Sequence, residues 1–162
     1  MVNVDSDRTA EELNAAYRRR FPDLTDDERR RRLMTAEEHW IPGIRLAEGQ
    51  AAAGGPAGMY RFDWAPADAA QRGLRASHMM EVPFVFGTYD ALPEGGLTGN
   101  TPDREPLSQA MGDAWARFVA TGDPSWPRFD PAERATMVFD RVAGIRVDPD
   151  AEERRLWDGR LV

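Results

Sequence analysis

Three strings of the form [ST]-x-x-E fall within the first 38 residues: Thr9 with Glu12, Thr25 with Glu28, and Thr35 with Glu38. A threonine followed by glutamate three positions on satisfies unpaired N–H groups at a helix start, so these signals commit the first part of the chain to helices. The first opens EELNAAYRRRF, where Leu13, Ala16, Tyr17 and Phe21 recur at helical spacing before Pro22 and Asp23 end it. The second opens DDERRRRLM, whose arginine run reads as a solvated face. From Thr35 a short helix is expected to run into a longer one, with Pro42 disturbing the turn before it. Trp40, Ile44, Leu46 and Ala47 are expected to face inward, and Gly54 to stop the helix.

The middle and end of the chain are more mixed. MYRFDW, residues 59–64, alternates Tyr60, Phe62 and Trp64, a strand signal. A loop of small and polar residues, 65–77, leads to His78 and then to VPFVFG at 82–87, where Pro83 argues against a central strand. Residues 87–106, rich in Gly and Pro, read as a surface loop. The next helix carries Leu107, Met111, Trp115, Phe118 and Val119 on one face, with Pro106 in its first turn and Gly122 as its stop. TMVFD at 136–140 and GIRV at 144–147 suggest a hairpin around RVA, and AEERRLW a closing helical turn. With 162 residues, about one domain is expected.

Composition removes several chemistries. All 21 basic residues are arginine, which excludes Schiff-base chemistry on a lysine. There is no cysteine, so disulfides, thiol nucleophiles and cysteine-ligated metals are excluded. A net charge of −7, spread evenly, makes nucleic acid and anionic membrane poor partners. The first twenty residues mix acids and arginines where a signal peptide needs an apolar run, and no stretch approaches the ~20 apolar residues of a spanning helix. The expected location is cytoplasmic.

Only His39 and His78 are present. His39, in EEHW, has no second histidine at metal-ligand spacing, so no metal and no cofactor are expected. His78 ends a loop that leaves a strand, a place where a general base is often held. Ser77 is its chain neighbour, but adjacent side chains seldom point into mutual hydrogen-bond geometry, and Ser6, Ser108 and Ser125 offer no better nucleophile.

RASHMMEVPFVFG resembles the histidine-bearing segment of the type-B carboxylesterases, the family of cholinesterases and para-nitrobenzyl esterases, with the pattern G-A-x-H-x-x-E-[IL]-P-F-V-F-G. Upstream, WIPGIRLAEGQAAAGGPAGMYRFDW is similar to the family's Arg-x-Ala helix and its Y-x-F strand. Downstream, MGDAWARFVATGDPSWPRF is similar to its W-x-x-F-x-x-x-G-D-P followed by W-P-x-[FY]. Arg75, where the family often has glycine, and Met79, where it usually has a small residue, depart from the pattern. The resemblance covers residues 34–162; residues 1–33 match weakly and are expected to form peripheral helices of the same single, partial domain.

The resemblance implies the C-terminal third of an α/β-hydrolase: an incomplete α/β fold, helix-rich, with one or two core strands and a short terminal hairpin. It gives His78 the role of triad histidine and Glu81 a loop-organising role, with Met79 and Met80 as candidate acyl-pocket lining. The nucleophile elbow G-x-S-x-G does not occur in these residues, nor does the family's acid or glycine-rich oxyanion loop. No triad catalysis is therefore expected from these residues alone. The implied substrate is a small-molecule ester, and the implied partner an N-terminal esterase segment or a second copy. The alternative is a non-catalytic module associating through the open edge of MYRFDW and the apolar face of the Trp115 helix. Arg117 and Asp113 are expected to pair on the helix surface and Asp123 to cap the GDP loop. Trp115, Phe118, Trp126 and Phe129 are expected in the core.

Overall fold

The computed structural model describes residues 4–67, 75–91 and 98–160, with side chains from residue 10 onward. The expected loops at 65–77 and 87–106 thus lie partly outside the described residues. Two compact units form, Met1–Gly54 with Pro149–Val162, and Gly55–Asp148. Among the described residues no helix is long and apolar enough to cross a membrane.

In the first unit, α1 spans Val4–Arg20. It begins before Thr9, so that string is not a helix start. The second string behaves as expected. Thr25 caps α2 (Asp26–Thr35) in a full capping box with Glu28. The third does not, because Thr35 is itself helical and its hydroxyl donates to the Arg31 carbonyl at 2.9 Å. The helix runs on through a π turn, Ala36–Trp40, into α3, Ile41–Ala52. Pro42 explains the wide turn. It has no N–H, its ring would collide with the carbonyl four residues back, and the Ile41 N–H reaches five residues back to Ala36 instead.

Ile41, Ile44 and Ala47 form the buried stripe of α3, while Leu46 is 76% exposed. Two positions beyond Ile44, Leu46 points about 200° away from it, so it cannot share that stripe. The C-terminal helix α6, Ala151–Arg155, belongs to the same unit. Trp157, just after it, is buried, and its indole N–H donates to the Tyr17 hydroxyl at 2.9 Å. Burial first, then the neighbouring Glu153 charge, pushes the Tyr17 phenol far above its ordinary pKa. Glu153, only 3% exposed, is paired with the Arg32 guanidinium, whose Nε lies 2.7 Å from the carboxylate.

In the second unit, a three-stranded sheet has the order β1 (Tyr60–Phe62), β2 (Ala135–Phe139), β3 (Gly144–Val147). β2 and β3 are the expected antiparallel hairpin, with Met137 opposite Ile145. β1 joins β2 in parallel, Phe62 opposite Phe139, and a parallel pair requires a long crossover. That crossover carries α4 (Val82–Val85) and α5 (Arg104–Thr121). Pro83 sits in the first turn of α4, where a missing N–H costs nothing. Pro106 likewise falls in the first turn of α5, and Gly122 ends it in the left-handed conformation at φ 73°.

The core of this unit is Trp64, Met80, Phe84, Leu107, Met111 and Phe139. Trp64 is fully buried, so its indole N–H needs an acceptor, and Asp103 supplies one at 2.5 Å. Burial pulls the Asp103 pKa up, but hydrogen bonds, the Trp64 indole's among them, and the Arg141 charge bring it below the usual carboxylate value.

Four outcomes follow. Asp103→Ala strands the Trp64 N–H and is expected to cost about 1–3 kcal/mol in urea unfolding, with Asp103→Asn costing less because it keeps an acceptor. The folded pKa of Asp103 is depressed, so its charge-dependent contribution is complete above the ordinary value of 3.8 and lost as pH falls through the lower folded value; wild type and Asp103→Asn converge in acid. Tyr17→Phe strands the Trp157 N–H in the other unit and is expected to cost about 1–3 kcal/mol by the same assay. Gly112, inside α5, places an added methyl at 3.4 Å from the Val85 carbonyl, ordinary contact. Gly112→Ala is therefore expected to gain up to about 1 kcal/mol from helix propensity, and Gly112→Val to destabilise by forcing α4 and α5 apart.

Candidate active site

His78 stands on a tight turn over residues 78–81 that leads into the start of α4. The turn is closed by backbone bonds from the Met80 N–H to the Ser77 carbonyl at 3.0 Å and from the Val82 N–H to the Met79 carbonyl at 3.3 Å. Met79 adopts φ 66°, a left-handed conformation a non-glycine residue rarely takes. That bend separates neighbours: Met79 is 60% exposed and Met80 1% exposed, within the core cluster. His78 is exposed beside Met79.

Two core anchors hold the turn. Met80 is one; the other is Phe84, fully buried, with ring centroids 4.9 Å from Trp64 and 5.5 Å from Phe62. The Phe84 carbonyl accepts a hydrogen bond from Ser108 Oγ at 2.7 Å, which ties α4 to α5. Glu81, half-buried, opens α4 and accepts bonds at its carbonyl from the Phe84 and Val85 N–H groups at 3.0 Å each. Burial, followed by the Glu81 charge, raises the Tyr60 phenol pKa, so Glu81 acts electrostatically on β1. Tyr60 is the polar residue that sequence reasoning missed, because strand alternation marks it only as core.

Two serine hydroxyls are engaged elsewhere. Ser77 Oγ donates to the Arg75 carbonyl at 3.0 Å, and Ser108 is spent on Phe84. Ser125, at φ 75°, gives its N–H to Asp123 Oδ1 in the GDP loop, the capping expected there. Arg117 pairs across that loop with Asp123 at 3.0 Å, reaching forward off the helix end rather than back to Asp113. The Ser125 N–H, then Arg117, hold the Asp123 carboxyl below its usual value. His39 lies on the π turn, 47% exposed, with Glu38 at 3.9 Å.

The aromatic residues of α5 and the loop after it divide. Phe129 is buried and Trp126 packs against the core, as expected, but Trp115 and Phe118 are 37% and 45% exposed. They border an open apolar cleft completed by Gly58, Tyr60, Ala114, Pro124 and Trp126. Its volume of about 80 Å³ is well below the roughly 300–1,000 Å³ of a small-molecule site.

The sequence model of the carboxylesterase family matches residues 2–156, taking in residues 2–33 as well. The para-nitrobenzyl esterase of Bacillus subtilis is 34% identical over 128 residues, 76% of this chain and 26% of that protein. The solved carboxylesterase EST55 of Geobacillus stearothermophilus superposes with a TM-score of 0.72 at 33% identity, covering 91% of this chain and 31% of the other. A thermophilic PNB esterase gives 0.74 at 29% identity, over 92% of this chain and 30% of the other. The 162 residues thus span about a quarter to a third of these relatives, with the helix-rich part of an α/β-hydrolase that the motifs implied. This chain belongs to the carboxylesterase family.

Proposed function

We propose that this chain contributes the general base of a serine carboxylesterase site, His78, acting on small-molecule carboxylic esters. The observation that carries the reading is the ordered series of family motifs around RASHMMEVPFVFG, in a chain with no G-x-S-x-G. The serine nucleophile, the triad acid and the oxyanion donors come from a segment outside these residues. His78 takes the proton from the serine hydroxyl as it attacks the ester carbonyl, then returns it to the departing alkoxide. In the second half it takes a proton from water, which attacks the acyl-enzyme. The anchoring of the turn by Met80 and Phe84 supports this role, because a base must be held rigidly. Glu81 steadies the turn, and Met79 borders the acyl side of the site with Met80 packed behind it.

The exposed Trp115, Phe118 and Val119 favour a second reading, in which the chain is an interaction module pairing with a second copy or with a serine-bearing segment.

The test is hydrolysis of p-nitrophenyl acetate by the chain alone and mixed with a separately produced, G-x-S-x-G-bearing segment of a relative. The chain alone is expected to be inactive. The mixture is expected to hydrolyse the ester, with a loss of at least about 10³-fold for His78→Ala. Activity in the mixture that survives His78→Ala overturns the role of His78. Histidine-dependent activity of the chain alone places the nucleophile among its four serines.

A further inference from the structure

The two methionines beside His78 share a sequence neighbourhood and differ in accessibility. At the left-handed Met79 the residue is 60% exposed, whereas the next, Met80, is 1% exposed. Elsewhere among the described residues Met34 is 39% exposed, Met59 and Met137 are half-buried, and Met111 is buried. Attack by a peroxide on a thioether needs the sulfur lone pair to reach the oxidant, so exposure orders the sites.

We propose that Met79 is a redox modification site, oxidised by peroxides ahead of the other methionines described, and that its sulfoxide alters the surroundings of His78. The sulfur lone pair attacks one peroxide oxygen and the O–O bond breaks. The sulfur gains that oxygen and loses two electrons, while the other oxygen leaves as water after a proton shift. An apolar, flexible side chain becomes a polar one carrying a strong hydrogen-bond acceptor, next in the chain to the imidazole. Its consequence for ester hydrolysis rests on the general-base reading of His78; the order of oxidation does not.

The experiment exposes the folded chain to limiting hydrogen peroxide and maps oxidation by tandem mass spectrometry. The imidazole proton resonances are followed in parallel, with that of His78 assigned through His78→Ala. Met79 is expected to oxidise at least about tenfold faster than Met80 and ahead of Met34. The His78 resonance should move in step, stay put in Met79→Leu, and return on treatment with methionine sulfoxide reductases, while the His39 resonance stays fixed. Equal rates for Met79 and Met80, or Met34 oxidising first, overturn the site. A His78 resonance unmoved at full Met79 oxidation, or equal movement of both histidines, overturns the coupling. These readouts need no ester turnover, so their failure leaves the esterase reading intact, and failure of the reconstitution leaves them intact.

Discussion

The burial of the Phe84 ring is the interaction on which the second unit rests. It is fully enclosed between Trp64, Phe62 and Tyr89, with Tyr89 stacked at 5.7 Å and 26°, and its backbone carbonyl is held by Ser108. One residue thereby joins β1, α4 and α5. A four-residue helix such as α4 has almost no stability of its own, because nucleating a helix fixes several dihedrals for few hydrogen bonds. It exists where it does because Phe84 is packed, and the His78 turn runs directly into this pinned helix.

Both units repeat one device in different materials. Each buries an indole and meets its N–H with a residue distant in sequence: Asp103 for Trp64, Tyr17 for Trp157. Dispersion and apolar burial hold the rings without fixing their orientation, whereas the single polar bond selects one orientation. Around Trp157 the arrangement extends to Glu153 and Arg32, so a carboxylate that is almost fully enclosed has a guanidinium against it.

Much of this was legible in the sequence, where the controlling interactions are local. The Thr25 box, the Gly122 stop and the hairpin around RVA each depend on a few consecutive residues, and each formed as read. The Thr9 and Thr35 strings carry the same local signal and were overruled, one by helix extending upstream of it and the other by continuation through the π turn. Trp115 and Phe118 have helical spacing, yet spacing says only that they share a face and not what covers it. At the candidate site, the resemblance singles out His78 and Glu81, and the structure sets both on one tight turn. No pattern revealed that Met79 and Met80 part company, since that follows from a single backbone angle. Nor did any pattern mark Tyr60 as lying under the influence of the Glu81 charge.

The parallel pairing of β1 with β2 sets a timetable for assembly. Tyr60 meets Met137, 77 positions further along, whereas β2 and β3 meet across a turn of a few residues. Closing the longer loop costs more chain entropy, so the hairpin has the means to form first and β1 must wait for it. On a ribosome adding roughly 5–20 residues per second, β1 emerges several seconds before its partner strand exists. For that interval YRF is without its β2 partner, and it is no more than three residues long, which gives a stray strand little to zip onto.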